Sequence, residues 1–207
     1  RDCLLSRGLG DVYKRQPRAL WDSFGYEGEL SCVFADSNVG KSILAVQIAD
    51  RIARTDNVLY LDLELSEKQF QLRYTGEHGK LYTFPDRLYR VSLDSNSLLE
   101  DNFEEAIIGG MEQMALQTGC KIFIVDNLTY LCCAMEKGDA AGRLMIQLNN
   151  LKKRYGLSIL VLAHTHVSFI TFFISKLFWS HSCHAFKRRT EISGISKTHF
   201  ATYFIYI

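Results

Sequence analysis

Between residues 29 and 166 the chain alternates two patterns. Short runs in which nearly every position is apolar are separated by longer stretches in which apolar residues return every three or four positions. The first pattern predicts strands buried on both faces, and the second predicts helices with one apolar side. The strand-like runs are ELSCVF at 29–34, NVLYLDLEL at 57–65, LYRVSL at 88–93, CKIFIVDN at 120–127 and LSILVLAHTH at 157–166. Helices are predicted at 43–54, where Ile43, Leu44, Val46, Gln47, Ile48 and Ile52 recur with helical spacing, and at 66–78, opened by Ser66 as N-cap. Two more are predicted at 102–118, weakened by Gly109 and Gly110, and at 139–155. In the last of these Leu144, Ile146, Leu148 and Leu151 are spaced for burial, and Gly156 stands where a C-cap belongs. Such strands alternating with helices predict an α/β fold: a mostly parallel sheet, helices on both faces and right-handed crossovers.

The two ends break the pattern. Residues 1–16 begin without Met, and CLLSRGLGDVYKRQ resembles translated sequencing-adaptor sequence, so this segment is set aside as non-native. After His166 no sustained period survives, and residues 167–207 read as an aberrant, frameshifted tail rich in Phe, Ser, His and Ile. His181, Cys183 and His184 in that tail lack a second ligand pair at zinc-site spacing, and no metal site is expected there. The expected folded unit is therefore 17–166, with a sheet incomplete at its C-terminal side.

Composition narrows the class only a little. Hydrophobic residues make up 47% and charged residues 23%, as in ordinary globular chains, and the formal net charge is +1. No global electrostatic field points to nucleic acid, so any DNA contact must be local. The basic triplet Lys152-Lys153-Arg154 at a predicted helix end is one local candidate; its other role is to complement the helix dipole. The six cysteines form no CxxC pair, and Cys32 and Cys120 fall in strand-like runs, which suits buried thiols in a reducing compartment. No secretory h-region and no membrane span are read, so a cytoplasmic protein without membrane contact is expected.

The candidate chemistry lies at the ends of the apolar runs. Ala35-Asp36-Ser37-Asn38-Val39-Gly40-Lys41-Ser42 sits between a predicted strand and a predicted helix, the context of a phosphate-binding P-loop, or Walker A element. There backbone N–H groups surround phosphates at a helix N-terminus, Lys41 supplies a mobile charge to the β- and γ-phosphates, and Ser42 offers a hydroxyl to Mg²⁺. Ala35 replaces the usual first glycine and is tolerated while its φ stays negative. Ile122 to Asp126 forms four apolar residues ending in a carboxylate, a Walker B element whose Asp126 would hold Mg²⁺ through water. In a doubly wound sheet both motifs converge outside the carboxyl ends of the strands. Tyr130, Cys132 and Cys133 follow Asp126 without an assigned role.

Asp62-Leu63-Glu64 follows the apolar LYL, and VLYLDLELSEKQFQLRY resembles the corresponding segment of DnaB-type helicases and other RecA-like ATPases. The resemblance implies that Glu64 orients or activates the attacking water. It also implies that His164, at the end of the run LVLAHTH, senses the γ-phosphate; plasmid replicative helicases of the RepA type look similar there. The segment is similar as well to AAA-type ATPases of plasmids and mobile elements. Over residues 24–166 the resemblance thus implies a RecA-like P-loop NTPase that binds ATP and Mg²⁺. In the intact family member it implies ATP hydrolysis coupled to DNA, in a hexamer. Alternatives are a regulatory ATP-binding switch without motor activity and a phosphotransferase on the same loop; Glu64 and His164 favour hydrolysis over phosphotransfer. Arg188 and Arg189 lie in the tail and are not assigned.

Overall fold

A computed structural model describes residues 17–21, 25–92, 103–128, 140–164, 185–186 and 203–206. Its strands are β1 (Leu30–Ala35), β2 (Val58–Asp62), β3 (Leu88–Ser92), β4 (Ile122–Asp126), β5 (Ser158–His164), β6 (Ala185–Phe186) and β7 (Tyr203–Tyr206). Its helices are α1 (Lys41–Ala53), α2 (Glu67–Arg73), α3 (Phe103–Thr118) and α4 (Ala140–Tyr155). The seven strands form one sheet in the order β3-β2-β4-β5-β1-β7-β6. From β3 to β1 every pairing is parallel, as the apolar runs predict. The chain order reverses between β4, β5 and β1, which places a crevice at the carboxyl ends of these strands.

Strand alternation sorts the core into two halves. Leu59, Leu61, Phe123, Val125, Ile159 and Val161 point to one face and pack against Ile107, Met111 and Ala115 of α3 and Leu144, Leu148 and Leu151 of α4. Val58, Tyr60, Ile122, Ile124, Leu160 and Leu162 point to the other face, where Ala45, Val46, Ala49, Ile52 and Ala53 of α1 cover them. Asp62 and Asp126 continue the parity of the second set and share the α1 face. Residues 17–21 join this half: Leu20 and Trp21 pack into it, and Arg18 donates to both carboxylate oxygens of Asp56 at 3.0 and 2.9 Å.

Several expectations need correction in detail. Ile146 is 63% exposed, and Met145 is buried in its place, because 144, 145, 148 and 151 make the apolar stripe at 3.6 residues per turn. Ile43 and Leu44 are also exposed, and alanines of α1 take the sheet-facing positions. The helix predicted at 66–78 ends at Arg73, where the rings of Phe70 and Tyr74 pack against Phe84 and the chain turns back through a Thr75–Leu81 bridge. A single 3₁₀ turn follows at Glu77–Gly79, with His78 at φ 68°. Ser66 is the N-cap, in a reciprocal capping box with Gln69. Gly156 follows α4 at φ +63°, a conformation that costs side-chain-bearing residues about 1 kcal/mol.

Residues 203–206 (YFIY) fall in the stretch read as aperiodic, yet they form β7. This strand lies antiparallel along β1, with Phe34 opposite Tyr203 and Ser31 opposite Tyr206. Aromatic and β-branched residues suit such pairing, and the ladder occupies the side of β1 that β5 leaves open.

Candidate functional site at the carboxyl ends of the strands

The loop of residues 36–40 joins the buried strand β1 to the N-terminus of α1. Ala35 stays in the strand, and the turn is made by two left-handed residues, Asn38 at φ 62° and Gly40 at φ 89°. Asparagine is among the few side chains that tolerate this region; at Gly40 any Cβ would be strained. No side-chain hydrogen bond caps the N-terminus of α1, the end at which a helix dipole favours an anion.

Lys41 is the first residue of α1 and is only 8% exposed. Its Nζ donates to Ala35 O at 2.8 Å and Asp36 O at 2.6 Å, and it lies 3.0 Å from His164 Nδ1. Burial lowers its pKa, while Asp126, Glu64 and Asp36 pull the other way. An ammonium has only hydrogens to offer, so in this contact Nδ1 of His164 is the acceptor. Ser37 Oγ lies 3.2 Å from the same nitrogen.

Two buried aspartates stand side by side, Asp62 ending β2 and Asp126 ending β4, paired in register. Both are 2% exposed. Asp62 Oδ1 accepts the backbone N–H groups of Glu64 and Leu65 at 3.1 and 2.9 Å, and Oδ2 accepts Arg90 Nε and Nη2 at 3.1 and 3.0 Å. Arg90 also reaches Leu65 O at 2.6 Å and lies 4.2 Å from the centre of the Phe70 ring. Asp126 differs. Its Oδ2 accepts the Tyr60 hydroxyl at 2.6 Å, and its buried Oδ1 has no hydrogen-bond partner among the described residues. Burial raises the Asp126 pKa; the hydroxyls of Tyr60 and Ser42 offset part of that shift, and the charges of Asp62 and Glu64 add to it. Burial, followed by the Asp126 charge, pushes the Tyr60 phenol well above its usual range.

Glu64 lies just past β2 on the turn that Asp62 holds. Asn127 Nδ2 donates to Glu64 Oε2 at 3.1 Å and lies 3.2 Å from His164 Nε2. The Asp126–Asn127 peptide is cis, and Asp126 O accepts the Leu63 N–H at 2.7 Å. Lys41, Glu64, Asp126 and His164 are thus linked directly or through Asn127 and their charges.

Tyr60, Asn127 and Arg90 were not singled out from sequence. Tyr60 is hidden in an apolar run, and Asn127 had only its adjacency to Asp126 as a signal. Lys152, Lys153 and Arg154 sit in the last turn of α4, at the amino end of β5 and away from the loop; Arg154 pairs with Glu112 at 3.3 Å. Cys32 and Cys120 are buried, as expected. Tyr130, Cys132, Cys133, His166, His181, Cys183, His184, Arg188 and Arg189 lie outside the described residues. A cleft of about 360 Å³ opens at the opposite, amino end of the sheet, but its cations are engaged: Arg18 with Asp56, Arg87 with Thr55 O and Lys121 with Tyr155 O. No described helix is long and apolar enough to cross a membrane.

The parallel sheet, the strand–loop–helix with its left-handed turn and the carboxylates at neighbouring strand ends define a RecA-like P-loop ATPase fold. Residues 5–168 match the AAA domain family, and the chain belongs to it. Among solved structures it is similar to the flagellar accessory protein FlaH from Methanocaldococcus jannaschii. That likeness has a TM-score of 0.54 at 14% identity, covers 72% of this chain and 68% of that one, and speaks for the fold. No curated protein sequence matches the chain.

Proposed function

We propose that this domain binds ATP with Mg²⁺ and hydrolyses it, as the engine of a DNA-dependent motor or helicase of plasmid or mobile-element type that works as a hexamer. The observation that carries the ATPase reading is the meeting of Lys41, Glu64, Asp126 and His164 beyond the carboxyl ends of β1, β2, β4 and β5. The backbone of residues 36–40 surrounds the phosphates. Lys41 exchanges the carbonyls of Ala35 and Asp36 for phosphate oxygens. Ser42 and Asp126 fit a divalent cation, because among the described residues no donor meets the buried Asp126 Oδ1, and an unmet buried acceptor costs about 1–3 kcal/mol. Mg²⁺, when bound, neutralises charge on the phosphates.

Glu64, held by Asn127, orients the attacking water and takes its proton as the oxygen bonds to the γ-phosphorus and the bond to the β–γ bridging oxygen breaks. His164 reports the state of that phosphate through its contact with Lys41. DNA coupling rests on the resemblance of the segment around Glu64 and of the strand ending at His164.

The test is ATP·Mg²⁺ binding by thermal shift and turnover with and without DNA, on the full chain and on Lys41→Ala. The expected outcome is a melting temperature that rises with ATP and turnover stimulated by DNA, both lost in the variant. Equal ATP affinity in Lys41→Ala would refute the loop assignment. Binding and turnover that DNA leaves unchanged would replace the motor by a nucleotide-controlled switch.

A further inference from the structure

We infer that Tyr60 is a positioning residue for the Asp126 carboxylate: its phenol ties down Oδ2, so that Oδ1 is the oxygen presented, beside Ser42, to a divalent cation. The inference rests on the ATP·Mg²⁺ reading of the site. Tyr60 lies in the middle of β2, opposite Ile124 on β4, two residues short of Asp126. Among the strand residues of the α1 face, its apolar neighbours are the aliphatic Val58, Ile122, Ile124, Leu160 and Leu162. Packing alone would be met there by Phe or Leu. The hydroxyl is what a packing role leaves unexplained, since a buried O–H must find an acceptor.

The acceptor it finds is Asp126 Oδ2, at 2.6 Å in a buried setting. A carboxylate offers about four lone-pair directions on two oxygens, and a single strong donor to one oxygen fixes its plane. The other oxygen then has a defined direction and, among the described residues, accepts no hydrogen bond. Asp62 shows the alternative outcome in the same sheet, with both oxygens consumed by the protein's own donors. Donors behind a metal-binding carboxylate govern affinity by this kind of orientation, and losing one costs about tenfold or more.

The test titrates Mg²⁺ against the full chain at fixed ATP, followed by thermal shift, for the wild type and Tyr60→Phe, with ATP binding in EDTA as the metal-free reference. The phenylalanine keeps the ring that fills the core. The expected result is a Mg²⁺ half-saturation raised about tenfold, with metal-free ATP binding unchanged. Tyr60→Met, similar in bulk and without a donor, should give the same shift and serves if the first variant is poorly folded. An unchanged half-saturation, or an equal loss with and without metal, overturns the inference. Asp126→Asn separates the two levels: if it removes the Mg²⁺ dependence while Tyr60→Phe does not, only the role of Tyr60 falls. If Asp126→Asn keeps the dependence, the assignment of the cation site falls, and the role of Tyr60 with it.

Discussion

Asp62 and Asp126 end adjacent parallel strands, pair in register and are equally buried, yet one is fully occupied and the other is not. Asp62 is a knot. It fastens the turn after β2 through two backbone N–H groups and ties the edge strand β3 through Arg90. Among the described residues Asp126 has one oxygen that accepts no hydrogen bond, in a setting that disfavours its charge. Under the proposed function, the second arrangement is a charge held ready for a cation. The difference separates an acid that builds the site from an acid that works in it, which strand position and burial alone cannot do.

The comparison predicts that stability and function divide between the strand ends. Glu64→Gln carries the largest effect. The amide keeps its shape and can still meet Asn127, but it cannot accept a proton. ATP affinity should stay within about twofold while turnover falls by roughly 10²–10⁴. Single-turnover kinetics would check this, and a loss of ATP binding instead would assign Glu64 to the turn alone.

The same substitution at the two aspartates comes next. Asp62→Asn leaves Arg90, with only 16% of its side chain exposed, without its counter-charge and should destabilise the fold by about 3 kcal/mol. Asp126→Asn should do the reverse and stabilise the metal-free protein by about 1 kcal/mol, while losing its response to Mg²⁺. The sign follows from linkage. A carboxyl whose folded pKa is raised binds its proton more tightly in the native state. Its contribution is most favourable below the usual carboxylate range and is lost as pH rises through the raised value. Denaturant unfolding in EDTA, at neutral pH and at pH 4, measures both variants. Equal destabilisation by the two would erase the distinction.

Much of this was legible in the chain. Continuous apolar runs gave the parallel order from β3 to β1 its basis, and the strand–loop–helix context located Lys41 and Ser42. Two-residue alternation would also have predicted that Tyr60, Asp62 and Asp126 share the α1 face. What periodicity could not supply was which side chain answers which. Asp62 reads as chemistry beside Glu64, and its partner Arg90 comes from another strand 28 positions on. Tyr60 reads as one more apolar strand residue, because a hydroxyl on an aromatic ring barely alters the pattern. Ile146 was misplaced because a two-residue step within a helical stripe turns a side chain about 200° away from its neighbour. The pairing of 203–206 depends on the edge β1 presents, a property of the assembled sheet that no local pattern contains.

The smallest effect sharpens the comparison most at the β2 end. Arg90→Lys keeps the positive charge but loses the planar fork that meets Asp62 and Leu65 O together and lies against Phe70. Stability should fall by about 1 kcal/mol, less than for Asp62→Asn, because the aspartate retains a counter-charge. ATP affinity should not change, and turnover should fall no more than about twofold, since Asp62 still receives the Glu64 and Leu65 N–H groups from within its own turn. Parallel melting and turnover measurements decide it. If turnover drops tenfold while the fold holds, Arg90 sets the height of Glu64 over the site, and the β2 end belongs to the catalytic machinery as much as to the scaffold.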